Sequence, residues 1–124
     1  MYIVDLSTCP EFIAGDHTIL KELLHPDKAG LELRYSLAHA TVKSGDTSYE
    51  HYLITSEVYY ILEGKGIMRI GEEIQEVFPG QAIYIPPKAW QCIHNPGPGD
   101  LKFICIVDPA WRKEDEVVSS SSGK

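Results

Sequence analysis

The sequence predicts an all-β fold, a sandwich or closed barrel of short strands. Three observations predict it. From Leu31 onward the chain is a series of short runs rich in β-branched and aromatic residues, among them "HYLITSEVYYILEG", "QAIYIP" and "LKFICIV". Turn signals separate the runs: "SGD", "EGKG", "GE", "PG", "PPK" and "NPGPGD". Nothing between them has the length and 3.6-residue period of a helix, so strands follow strands at nearly even spacing.

Taken in order, residues 1–16 hold one apolar run, Tyr2 to Val4, broken by Pro10 and Gly15, which suits an arm or an edge strand, one that can also cross to a partner subunit. In "DHTILKELLHPDKAG" two readings stay open. Ile19, Leu20, Leu23 and Leu24 make a helical stripe with Asp16 as N-cap, whereas Ile19, Lys21 and Leu23 share one side of a strand, and Pro26 ends either. The expected organisation is an arm and connecting segment over 1–30, a β-barrel over 31–109 and a polar tail over 110–124. The serine-rich end "SSSSGK" is expected to be disordered.

The 124 residues suffice for one domain with a core of its own. Eleven Lys and Arg against 18 Asp and Glu give a net charge of -7, and the basic residues are scattered, which argues against nucleic acid or an anionic membrane as partner. Cys9, Cys92 and Cys105 are odd in number and lack the short spacings of a disulfide framework or zinc ribbon. No run approaches the ~18 apolar residues of a membrane span, and the start lacks a basic and apolar leader, so a cytoplasmic location is expected.

Two sets of spacings then carry a resemblance. Gly45, His51, Glu57 and Gly64 fall at the intervals of a glycine, histidine, glutamate, glycine motif in which Leu53 stands at a second histidine position. Gly80, Pro86 and Asn95 hold the intervals of a second motif, with Lys88 at a glycine position and Gln91 at a histidine position. The region from Leu31 to Val107 thus resembles the cupin superfamily, and the resemblance implies a double-stranded β-helix, or jelly-roll barrel. Gly64 and Gly66 frame a hairpin where positive φ costs a glycine nothing, and the prolines of "IPPKAW" force an extended corner.

In metal-binding cupins the histidines and glutamate of the two motifs converge on one divalent ion inside the barrel. Carried over, the resemblance implies His51 and Glu57 as ligands with Gln91 as a neutral oxygen donor, and zinc or nickel in preference to iron, since iron oxygenases use two imidazoles. Strand alternation points His51 and Leu53 inward together, likewise Glu57, Tyr59 and Ile61, and likewise Gln91 and Ile93; Trp90, Cys92 and His94 point outward. Tyr49, Leu53, Tyr59, Ile93 and His39 are the pocket candidates, and Trp111 caps a barrel end or packs at a subunit interface.

The competing reading of His51 and Glu57 is a buried pair that satisfies itself without an ion. Function divides the same way. One reading is a metal-assisted or isomerase-like reaction on a small polar metabolite; the other is a metal-free module binding a sugar or carboxylate. The resemblance further implies a homodimer.

Overall fold

The computed structural model describes residues 1–119. Eleven strands run in chain order: β1 Phe12–Ile13, β2 Ile19–Leu24, β3 Ser36–Val42, β4 His51–Leu53, β5 Ser56–Glu63, β6 Gly66–Ile70, β7 Glu73–Val77, β8 Ala82–Ile85, β9 Gln91–His94, β10 Leu101–Asp108 and β11 Glu116–Val118. They form two antiparallel sheets, a six-stranded one in the order β1-β2-β3-β10-β5-β8 and a five-stranded one in the order β11-β4-β9-β6-β7. The architecture is all-β, a jelly-roll barrel.

The period of two in the central strands makes the core. β10 turns Leu101, Phe103, Cys105 and Val107 inward and leaves Lys102, Ile104 and Ile106 outside; β5 does the same with Glu57, Tyr59 and Ile61 against Tyr60 and Leu62. The rings of Tyr59 and Phe103 meet at 4.4 Å. Ile93 and Met68 come from the other sheet to close the same apolar cluster.

Gly64 and Gly66 have different reasons to be glycine. Gly64 takes φ 78° and passes so close to β10 that a Cβ would lie 2.5 Å from the Asp100 carbonyl oxygen. Gly66 has no positive φ; the side chains of Leu101 and Ile93 fill the space its Cβ would occupy, at 3.0 and 3.1 Å. The motif asparagine, Asn95, is also structural: it donates to the carbonyls of Val42 and Gly99 at 2.8 Å and accepts from the Gly97 N–H, pinning the "NPGPGD" turn.

Segments on either side of the motif region join the sheets. Residues 17–25, open between helix and strand in the sequence, hold a strand: β2 pairs along β3 from Ile19↔Thr41 to Leu24↔Leu37. The expected boundary at residue 31 therefore meets a sheet that continues across it, because Ile19, Leu20 and Leu24 find neighbours on β3. In the tail, β11 pairs with β4 (Glu116↔Leu53, Val118↔His51), and the Ser119 N–H donates to Glu50 O at 2.9 Å. The rest of the "SSSSGK" expectation lies outside the described residues.

Candidate functional site

A cavity of about 200 Å³ opens between the two sheets, at the end where β1, β4, β11 and the Trp111 segment meet. His51, on β4, is buried, and its Nδ1 donates to the Tyr49 carbonyl at 2.8 Å, which fixes the proton on that nitrogen. Nε2 therefore looks the other way, toward Asp16 Oδ2 at 3.5 Å and Glu116 Oε2 at 4.0 Å.

Each carboxylate is held by its own local structure. Asp16 closes a tight turn, its Oδ1 accepting from the Thr18 N–H at 3.1 Å and from the Thr18 hydroxyl at 2.7 Å, which leaves Oδ2 for the histidine. Glu116 stands opposite Leu53 in the β11–β4 ladder, so a carboxylate from the next strand projects beside the position where the motif has its second histidine. Gly15 leaves room for it; a Cβ there would sit 3.2 Å from Glu116 Oε1. Glu57, on β5, accepts the side-chain N–H of Gln91 at 2.8 Å.

The remaining wall is apolar and aromatic, with Phe12, Leu53, Tyr59, Phe103 and Trp111 prominent. Trp111 is held by both backbone groups: its N–H donates to Ser36 Oγ at 3.0 Å and its carbonyl accepts from His25 Nε2 at 2.8 Å. His25 can donate from Nε2 because its Nδ1 accepts the Asp27 N–H.

Burial governs Glu57 and Glu116. It pushes the Glu57 carboxyl up to about 7; the nearby His51 and the Gln91 hydrogen bond pull down, and Asp16 and Glu116 push up again. Glu116 is raised by burial too, against the pull of His51. The Tyr59 phenol and the Cys105 thiol are driven well above their ordinary values, first by burial and then by the charge of Glu57. Both stay neutral near pH 7, so Tyr59 is a hydrogen-bonding phenol and Cys105 an inert thiol.

The sequence candidates separate in space. His51, Glu57, Leu53 and Tyr59 line the cavity, and Gln91 reaches it through Glu57. Ile93 belongs to the fully buried core, because the sheet continues past the cavity. Tyr49 stacks on His17 at 5.1 Å, away from the cavity wall. His39 points to the outer side of β3, where it lies against Lys21 and Lys102 beneath the N-terminal segment; burial and those two lysines hold its pKa down. Outward His94 bonds the Thr47 hydroxyl at 2.7 Å.

The implied ligand set does not fit a divalent ion in this arrangement. Gln91 turns its amide N–H into Glu57, and a donor facing the carboxylate is the opposite of what a cation between them needs. His51 Nε2 looks toward Asp16 and Glu116 instead. Among the described residues no group of three or more His, Cys, Asp or Glu is placed to hold a metal ion. Asp16, which the sequence offers only as an N-cap, and Glu116 are not among the sequence's site candidates. The one local signal was "GDHT", a turn that frees a carboxylate oxygen, and the short "EVV" alternation near the end.

The profile of the Cupin domain family matches residues 38–107, more than half of the chain. The chain belongs to the cupin family. This cupin is 43% identical over 105 residues to the uncharacterized protein MJ1618 of Methanocaldococcus jannaschii, a match covering 84% of this chain and 83% of that protein. It is 28% identical to the mannose-1-phosphate guanylyltransferase ManC of Salmonella typhimurium over 83% of this chain, but spans only 22% of that enzyme's length. In three dimensions the cupin is similar to the nucleoside dehydratase Pac13 of Streptomyces, with a TM-score of 0.76 at 18% identity, covering 96% of this chain and 91% of that one. At that identity the likeness is one of fold.

Proposed function

We propose that this cupin binds a small organic molecule in the cavity and moves a proton on it, with Glu57 as the acid–base group and His51 as its polar partner. The observation that carries the reading is a buried carboxyl held at about 7 beside an imidazole at the end of an apolar cavity. An acid poised there gives and takes protons at neutral pH, and the aromatic wall keeps water from competing. A volume of about 200 Å³ sets the size of the ligand, because an engineered cavity of ~150 Å³ already admits benzene. Sugar nucleotides are too large for it. The larger cleft of about 630 Å³ beside β7 and β8 has Glu73 as its one carboxylate and no histidine, and it is the weaker candidate.

The test is a titration of Glu57 followed by carbon-13 NMR of the side-chain carboxyl, with Glu57→Gln to assign the signal. A midpoint near 7 supports the reading; a midpoint near the ordinary 4.5 removes the acid–base group and the reading with it.

A divalent ion on His51, Glu57 and Gln91 is the second reading. It requires the Gln91 amide to turn over and give up its bond to Glu57. As to assembly and location, a homodimer through the outer face of the six-stranded sheet is favoured by exposed Tyr60, Leu62, Tyr84 and Ile106, and a cytoplasmic setting by three free cysteines.

A further inference from the structure

The charges around the cavity are of one sign. Asp16, Glu57 and Glu116 line it, and among the described residues no lysine or arginine does. Glu22, the remaining carboxylate of the wall, is turned to Lys28, with Nζ 3.2 Å from its oxygen. The single imidazole, His51, donates from Nδ1 to a carbonyl, so its other nitrogen is turned to Asp16 and Glu116 across 3.5 and 4.0 Å. Those separations are longer than good hydrogen bonds, so the one imidazole, 2% exposed, answers only in part the carboxyl groups that it faces. Glu57, 7% exposed, receives one hydrogen bond among the described residues. Buried acceptors in such number, around an enclosed space, want a donor that carries positive charge.

We propose that the ligand of this cavity is an organic cation, a primary ammonium group on a small apolar or aromatic body. The inference rests on the reading of the cavity as a small-molecule site and narrows it. A –NH3+ group has three donors for the carboxyl groups of Asp16, Glu116 and Glu57 that line the cavity. The body of the molecule lies against Phe12, Tyr59, Phe103 and Trp111, whose ring faces also attract a cation. An anion meets three carboxyl groups with one imidazole among them to offset the charge. A sugar finds too few free donors, because Thr18 gives its hydroxyl to Asp16 and the rest of the wall is largely apolar. Of the sugar or carboxylate that the alternative sequence reading allowed, the carboxylate is therefore the class this cavity selects against.

The experiment compares benzylamine, benzyl alcohol and benzoate, three molecules of one shape and different charge, by isothermal titration and by NMR shifts of the Tyr59 and Phe103 rings in the full chain. Benzylamine is expected to bind at least tenfold more tightly than benzyl alcohol, and benzoate not to bind. In Asp16→Asn and Glu116→Gln, the ratio of benzylamine to benzyl alcohol affinity falls about ten- to hundredfold, the usual effect of losing a charge-assisted hydrogen bond. Circular dichroism of the two variants shows whether they are folded, and Glu116→Asp, which keeps the charge, restores part of the ratio. Benzoate or benzyl alcohol binding as tightly as benzylamine overturns the cationic assignment while leaving the cavity reading intact. If none of the three shifts Tyr59 or Phe103, the cavity reading fails as well. Zinc chloride binding stoichiometrically in place of benzylamine, and lost in both variants, makes the cation a metal and also overturns the proposal.

Discussion

Gln91 donates its amide N–H to Glu57 Oε1 across 2.8 Å, joining the two sheets through a pair of buried side chains. The bond favours the ionised carboxylate, so its removal is felt most where Glu57 is ionised. Gln91→Leu is expected to lose about 1.5–3 kcal/mol at pH 8 and distinctly less at pH 5. Urea unfolding at the two pH values measures it. An equal loss at both would show that Gln91 acts through packing alone.

Glu57 itself sets a second pH dependence. Its carboxyl titrates at about 7 in the fold and near 4.5 in the unfolded chain, so between those values the native state holds the extra proton. Stability from this group is full below pH 4.5, is lost as pH rises through 7, and amounts to about 3 kcal/mol. The gap in stability between Glu57→Gln and the parent, followed from pH 4 to 8, should move by that amount in favour of the glutamine. A gap constant with pH would refute the buried, raised carboxyl.

The C-terminal strand completes both the sheet and the site. Removing residues 110–124 takes away Trp111, Glu116 and the β11–β4 ladder, and uncovers His51 and Leu53. The truncated chain is expected to melt several degrees lower, to bind the dye ANS and to lose benzylamine binding. Unchanged melting would mean that β4 does not depend on its neighbour.

On the outer face of the six-stranded sheet, Ile106 pairs with Val58, Val58 with Tyr84, and Ile104 with Tyr60, which makes a continuous apolar row across β10, β5 and β8. Tyr60 and Ile106 are 44% and 37% exposed. Tyr60→Lys and Ile106→Lys are each expected to halve the mass seen by light scattering, with the fold retained by circular dichroism. A parent protein that is already monomeric at micromolar concentration sinks the dimer.

What the sequence revealed of the site was what strand alternation can carry. The inward aim of Glu57 follows from the period of two and from its neighbours Tyr59 and Ile61, and the burial of His51 and Gln91 follows in the same way. Alternation says nothing about partners. Asp16 lies in a turn and Glu116 in a three-residue strand, and each meets His51 only through contacts between distant parts of the chain. His39 misled for a related reason: it is buried, but by the N-terminal segment lying over the outer side of β3. A helix or strand for residues 17–25 was undecidable locally because Leu20 and Leu24 fit both patterns, and pairing with β3 chose.

The approach of Gly15 to Glu116 brings the segment before β2 and strand β11 together over His51 on β4. The polar end of the pocket is thus built partly apart from the strands that carry His51 and Glu57. Substitutions in these two segments can alter which molecules are admitted without disturbing the strands that hold His51 and Glu57. A newly made chain, conversely, carries an unfinished pocket until β11 has been synthesised.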